Sequence, residues 1–360
     1  MQMLKIYPEK QYPEAGAFCK LFLQEKALPR YVMGRNDYAV SIAKFIDLNG
    51  FIDDFTNETE YLGKPILKTA EIPRESLVVS TVILAKPLIA LKKLKSHGVS
   101  CLDYFNFFKY SGLALKEIAF LCECKKDIEK NGDKYQWINS RLEDEKSKYV
   151  LEKLLNFRFS SDLNYMLEFE YAPDRQYFED VLDLKPGEVF VDAGGYDGET
   201  ALAFIKRCAD YKSIHFFEPD PGNIELARSN LTKQRNVYFY TMGLGESKKK
   251  LKFRSGEGSS SKISETGDFV IKVDAIDNLI EEPVSMIKMD IEGAEGMALT
   301  GARSHILKDH PKLAICCYHK MDDLWKIPEQ ILAIRDDYAI YLRHYTDGLI
   351  ETVMYFIPDP

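Results

Sequence analysis

Apolar and polar positions alternate in two rhythms along this chain. RYVMG (30–34), GFIDDF (50–55), LVVST (77–81) and VSCLDYF (99–105) are short apolar runs that read as strands. DYAVSIAKFIDLNG (37–50) and AKPLIALKKLKSHG (85–98) space their apolar residues as helices do and stop at glycine. Flat apolar strands alternating with helices imply a small parallel sheet covered on both faces. Between 111 and 185 the strand rhythm is lost, and LALKEIAFLCECKKDIEK and SRLEDEKSKYVLEKLLNFRF predict helices. From 186 the alternation resumes, with strands expected at 188–192, 214–217, 236–241, 269–273, 284–290, 311–318, 338–344 and 350–357. Helices are expected at 198–209, 221–232, 292–308 and 324–335, and the Lys-, Gly- and Ser-rich span 246–264 reads as an exposed hairpin or loop. The resulting division is an N-terminal segment (1–29), a small Rossmann-like α/β domain (30–110), a helical connector or lid (111–185) and a larger α/β domain (186–360).

Composition narrows the class of partner. The 48 basic and 56 acidic residues leave a net charge of −8, which points away from nucleic acid. The most apolar run, 77–91, is too short for a membrane span and is interrupted by Lys86-Pro87. Seven cysteines without framework spacing fit reduced thiols, and the start lacks a signal-peptide pattern, so a soluble cytoplasmic protein is expected.

The chemistry concentrates in the last domain. EVFVDAGGYDGET (188–200) is a strand ending at Asp192, followed by Gly194, Gly195, Tyr196 and Gly198 before a helix. Glycines there tighten the turn and let a ligand approach the backbone. The next strand ends in Glu218, where a carboxylate can hold a ribose diol, and Pro219 is expected to open the following helix. Either a nicotinamide dinucleotide or S-adenosylmethionine fits an acid at that point. A pyrophosphate, however, needs a fuller glycine run without acids, and Asp192 and Asp197 crowd this turn. They favour a cationic, phosphate-free nucleoside.

A third strand delivers Asp290, with Glu292, Gly293 and Glu295 at the helical start behind it. Acids in a first turn also stabilise a helix without catalysis. His319 follows the next strand and is a candidate general base, with Asp290 and Glu292 as alternatives or as acceptor-orienting groups. Lys288 reads as a strand residue at the site edge. Two acids without a clear third ligand give no metal assignment. In EYAPDRQYFED (170–180), Tyr171, Gln176 and their neighbours Arg175, Tyr177 and Phe178 could cover the donor, stack on a sugar, or simply pack.

Together D-A-G-G-Y-D-G, F-E-P-D, K-V-D-A-I-D and K-M-D-I-E-G-A-E resemble the FkbM family of S-adenosylmethionine-dependent methyltransferases over about residues 165–357. The resemblance implies a seven-stranded class I methyltransferase sheet and O-methylation of sugar or polyketide-type hydroxyls. It carries over Asp192, Gly194 and Gly198 as the donor loop, Glu218 as the ribose acid, and Asp290-Ile-Glu-Gly as the active-site edge. Gly195-Tyr196 stands where the family often has Ala-Asn, which leaves donor contacts near Tyr196 open. Residues 30–105 loosely resemble the small Rossmann-like domains that accompany sugar-modifying enzymes, with Asp53 placed as a ribose acid would be, although the second fingerprint glycine is missing.

The expectation is an S-adenosylmethionine-dependent O-methyltransferase acting on a sugar hydroxyl of a polysaccharide or nucleotide-sugar precursor. Gly195, Tyr196, Pro219 and Asp290 join the cofactor set, and Tyr171, Gln176, Glu295 and His319 the acceptor set. The rivals are a nicotinamide-dependent oxidoreductase and a non-catalytic carbohydrate- or nucleotide-binding adaptor. A homo-oligomer is compatible with the chain.

Overall fold

In the computed structural model, which describes residues 3–254, 262–263 and 269–359, the strands form three sheets. The first contains β1 (Arg30–Met33), β2 (Gly50–Ile52), β3 (Glu60–Tyr61), β4 (Lys64–Leu67), β5 (Leu77–Ser80) and β6 (Ser100–Asp103), in the order β3-β4-β2-β1-β5-β6. All pairings are parallel except β3 with β4. The helix expected over 37–50 spans only Asp37–Ala43, because Asn36 caps it and the chain must turn back into β2. The residues 104 and 105 that closed the fourth expected strand instead begin the helix Tyr104–Tyr110, capped by Asp103.

The large sheet contains β7 (Val189–Ala193), β8 (Ser213–Phe217) and β9 (Val237–Tyr240), then β14 (Met286–Met289), β15 (Lys312–Cys316), β16 (Tyr338–His344) and β17 (Thr352–Pro358). Its order is β16-β17-β15-β14-β7-β8-β9, with only β17 antiparallel to its neighbours. This is the seven-stranded, Rossmann-like sheet of class I methyltransferases. Every residue of β7, β8 and β14 is buried, as parallel strands covered on both faces must be. The order reverses between β7 and β14, so a crevice opens at their carboxyl ends.

The expected strand 269–273 lies outside that sheet. As β13 (Phe269–Asp274) it joins β10 (Gly243–Leu244), β11 (Lys249–Arg254) and β12 (Lys262–Ile263) in a four-stranded sheet. Of the expected hairpin or loop 246–264, β11 and β12 pair antiparallel as a hairpin's strands do, while 255–261 and 264 lie outside the described residues. The helix expected over 292–308 is two, Glu295–Gly301 and Arg303–Asp309. A Cβ on Gly301 would stand 2.0 Å from the Gly245 carbonyl oxygen, so the chain bends where it presses on the four-stranded sheet.

Helices Ala119–Lys130, Gly132–Arg141 and Glu145–Ser160 join the halves. The last buries Val150, Leu151, Leu154, Leu155 and Phe157 in a core continuous with Val32, Leu342 and Met354. Each such side chain contributes about 1.5–3 kcal/mol. Its N-cap Asp144 accepts from Ser147 N at 2.8 Å and from Arg343 Nη2 at 2.7 Å, which ties the helix to β16. At the other junction the turn between β16 and β17 presses on the small sheet. Asp347 accepts from Leu88 N and Ile89 N, at the start of the helix Pro87–His97, at 3.3 and 3.2 Å.

Candidate functional site

A cavity of about 540 Å³ lies at the carboxyl ends of β7, β8 and β14. Gly194, Gly195, Tyr196 and Asp197 form one wall, with Glu218 and Pro219 beside them. Met242, Leu244 and Ile271 give an apolar side, and Asp290, Ile291 and Glu292 lie opposite. Seven carboxyl side chains and one lysine, Lys288, line it among the described residues.

The glycines are explained by close packing of the chain on itself. Gly194 has φ +74°, and a Cβ there would lie 1.9 Å from the Asp290 carbonyl oxygen. A Cβ on Gly195 would lie 2.1 Å from the Phe216 ring. Both amides donate to the Phe217 carbonyl, at 3.0 and 3.1 Å, while Gly198 N donates to Gly195 O. Gly198 sits behind the cavity wall, starting the helix Glu199–Arg207. The bared-backbone expectation is thus corrected: these N–H groups are already engaged, and the glycines let two strand ends meet.

Glu218 is the tie between turn and second strand. One oxygen accepts from Tyr196 N at 3.1 Å and the other from Asp220 N at 2.8 Å. Burial raises its pKa while those amides pull it back. The carboxylate still faces the cavity, so its remaining lone pairs can take two hydroxyls. Tyr196, at φ +52° and 37 % exposed, forms the rim. The following helix begins at Pro221, the start expected for 221–232, with Asp220 as cap, so that Pro219 precedes the helix instead of opening it.

Asp192 does not reach the cavity wall. It is fully buried, with Oδ1 at 3.1 Å from Lys288 Nζ. That ammonium also donates to the Gly194 carbonyl at 2.7 Å and the Ala193 carbonyl at 3.3 Å. Burial works against the Lys288 charge, but Asp192 and Asp290 outweigh it and hold its pKa above the ordinary lysine value. The pair pins the turn from beneath and leaves Lys288 fully committed.

On the other side, Asp290 is the hub. Tyr177 Oη donates to its Oδ2 at 2.6 Å, and Tyr318 Oη approaches Oδ1 at 3.4 Å. Gln176 Nε2 donates to Tyr177 Oη at 2.8 Å and also to Glu351. Tyr177 holds φ +69° with its amide on Tyr355 Oη at 3.0 Å, so the approach segment is wedged against the sheet. Burial, reinforced by Asp290, lifts the Glu351 carboxyl to about 7 on the cavity wall.

His319 and Glu295 stand behind that wall. His319 Nδ1 is 2.9 Å from Glu295 Oε1, and Nε2 is 3.4 Å from Asp290 Oδ1 and 3.8 Å from Glu292 Oε2. Burial alone would lower its pKa, but Glu295, then Asp290 and Glu292, lift it to about 10. A ring that already holds its proton at neutral pH is a poor general base. Glu295 Oε1 also accepts from Ile291 N at 3.0 Å, shaping the turn that carries Asp290. Asp290, Glu295 and His319 each offer a ligand atom within 4.8 Å of the others.

Tyr171 is 43 % exposed on the cavity rim, with Lys86 Nζ 3.7 Å from its ring centre. In the small sheet, by contrast, the would-be dinucleotide turn is closed. Asn36 Nδ2 donates to the Thr81 carbonyl at 2.9 Å, and a Cβ on Gly34 would meet Thr81 Oγ1 at 2.6 Å. Asp53, placed as a ribose acid, is paired with Arg35 at 2.8 Å.

Sequence reasoning missed the chemistry of Tyr177 and Glu351. The one available signal for Lys288 was a charged residue in a strand otherwise of Met and Ile.

Residues 192–345 match the methyltransferase FkbM domain family. Among solved structures the chain is similar to a methyltransferase FkbM from Methylobacillus flagellatus KT, at 26% identity over 95% of this chain and 93% of that one, with TM-score 0.72. Fibrillarin of Aeropyrum pernix with natively bound S-adenosyl-L-methionine gives 12% identity over 51% and 71% of the two chains, TM-score 0.34. An rRNA methylase from Streptococcus thermophilus gives 14% over 50% and 92%, also TM-score 0.34. No curated protein matches the chain.

Proposed function

With a methyltransferase FkbM domain at residues 192–345, we propose that the protein is an S-adenosylmethionine-dependent O-methyltransferase whose acceptor is a sugar hydroxyl. The observation that carries the cofactor reading is the charge of the cavity: seven carboxyl groups and one lysine whose charge is already spent on Asp192. Such a lining suits an amino group and a sulfonium and repels a pyrophosphate, which disfavours a nicotinamide dinucleotide.

The residues divide the work. Glu218 accepts the two ribose hydroxyls, while Met242, Leu244 and Ile271 offer the apolar side on which an adenine packs. Tyr196 closes the rim, and Asp197 faces the amino-acid end. When bound, S-adenosylmethionine supplies the methyl group on a positively charged sulfur. Tyr177, Gln176 and Asp290 orient the acceptor hydroxyl, and exclusion of water plus in-line positioning lowers the barrier. As the O–CH₃ bond forms and the S–CH₃ bond breaks, the hydroxyl proton passes to Glu351, a cavity-wall carboxylate that titrates near neutrality. Exposed Tyr171 and Tyr196 provide ring faces for a sugar.

Calorimetry with S-adenosylmethionine, S-adenosylhomocysteine and NAD tests the cofactor reading, with Glu218→Ala as the control. Micromolar binding of the first two, weakened at least tenfold in the variant, is expected. NAD binding without S-adenosylmethionine binding would sink it. Radiolabelled methyl transfer to host glycans then tests the acceptor, with Glu351→Gln expected to reduce kcat by about 10²–10⁴-fold.

A further inference from the structure

Behind the acceptor wall, ring and carboxylates stand at distances that hydrogen bonding does not explain. His319 Nε2 is 3.4 Å from Asp290 Oδ1 and 3.8 Å from Glu292 Oε2, and neither ring nitrogen makes a hydrogen bond of proper geometry. Glu295 is fully buried, yet its Oε2 has no hydrogen-bond partner. Burying such atoms without partners is costly, and a cation among the three carboxylates would offset that cost.

The two spacings from Nε2 are short enough for a shared ion. Two ligand atoms each about 2.1 Å from a cation stand roughly 3.4 Å apart at the tetrahedral angle and roughly 3.8 Å apart at an angle of about 130°. We propose that His319 Nε2, Asp290 Oδ1 and Glu292 Oε2 bind one divalent cation, with Glu295 as the carboxylate that orients the histidine. Glu295 Oε1, 2.9 Å from Nδ1, favours the proton on that nitrogen through its charge and leaves the Nε2 lone pair to the ion. A carboxylate behind a ligating histidine is the arrangement that fixes the ring tautomer in metal sites. Tyr177 holds the other oxygen of Asp290 at 2.6 Å and fixes its plane.

The site opens in one direction. Asp290 and Glu292 line the cavity while His319 and Glu295 lie behind it, so the vacant coordination positions of the ion face the acceptor. Two carboxylates and one imidazole suit Mn²⁺, Mg²⁺ or Zn²⁺. An ion there would take an acceptor hydroxyl as a ligand and make its proton easier to remove. That catalytic role rests on the methyltransferase reading, whereas cation binding does not.

The test is calorimetric titration of the full-length, chelator-treated protein with Mn²⁺ alone, repeated with Zn²⁺. One ion per chain is expected. His319→Ala should abolish stoichiometric binding, Glu292→Gln should weaken it at least tenfold, and Glu295→Gln should weaken it about 10–100-fold through the ring. His319→Asn, which keeps a polar amide but has no atom at the Nε2 position, is the second variant, and circular dichroism establishes that each variant is folded. Absence of stoichiometric binding of both ions, or binding unchanged in folded His319→Ala or His319→Asn, overturns the proposal. If S-adenosylmethionine binds and methyl transfer proceeds equally with and without chelator, the ion's catalytic role fails alone. If Mn²⁺ binds and S-adenosylmethionine does not, the methyltransferase reading fails alone.

Discussion

At the scale of single residues, Lys288 explains more of the site than any residue visible as a motif. It sits in a fully buried strand and joins the ends of two strands, by its ion pair to Asp192 and its bonds to the carbonyls of residues 193 and 194. Replacing one member of a buried pair leaves the other charged and unsolvated. Lys288→Met should therefore lower stability in urea unfolding by about 3–5 kcal/mol, whereas adding Asp192→Asn should restore most of the loss. A single variant as stable as the wild type would show that the pair is not structural. The acids at the strand ends were legible because they follow apolar runs directly. Their partners were not, since Tyr177 meets Asp290 from 113 positions away and Gln176 meets Glu351 from 175. The turn glycines were also legible, but for a reason tied to tertiary structure: Phe216 and the Asp290 carbonyl occupy the space where a Cβ would stand.

Individual elements show where local pattern suffices and where it fails. Strands β7, β8 and β14 announce themselves as flat apolar runs because both faces are covered. The pair β3 and β4 lies at the sheet edge with every residue but Ile66 exposed or half-buried, and no apolar rhythm marks it. Strand β13 has the rhythm, but nothing local says that it joins the four-stranded sheet. Strand β16 carries a measurable pH dependence. His344 is buried, with Nδ1 at 2.9 Å from Thr352 Oγ1, and burial, then Arg158, lowers its pKa to about 3 from 6.5. Between pH 6.5 and 3 the unfolded chain takes up a proton that the native ring refuses, so this residue makes stability fall as pH falls. The slope is up to about 1.4 kcal/mol per pH unit. Unfolding at pH 6.5 and pH 5 should show a smaller loss in His344→Asn than in the wild type. Parallel losses would contradict the assignment.

For the molecule as a whole, the junction between the halves decides what each edge is free to do. The helix Pro87–His97 starts where a parallel sheet commonly receives an anion, and here Asp347 from the other half fills that position. Gly348 fits because a Cβ would stand 1.9 Å from the Leu84 carbonyl oxygen. Asp347→Ala should cost about 1 kcal/mol, as loss of an N-cap does, and should speed hydrogen exchange at the Leu88 and Ile89 amides. Unchanged exchange there would mean the contact does not hold the helix start. The strand–helix alternation of the small sheet was legible, but the helical span 111–185 gave no sign that its long helix would be shared by two cores. That depends on which faces meet, and a single sequence does not specify it.

The Asp347 clasp also sets an order of events during synthesis. Its two bonds reach back across 259 and 258 residues of chain. At about 5–20 residues per second, a ribosome needs roughly 13–50 s to deliver the cap after the helix has been made. For that interval the small sheet is on its own, with the amides of residues 88 and 89 open to water. The first half must therefore persist unassisted, or in a chaperone's keeping, until Asp347 emerges.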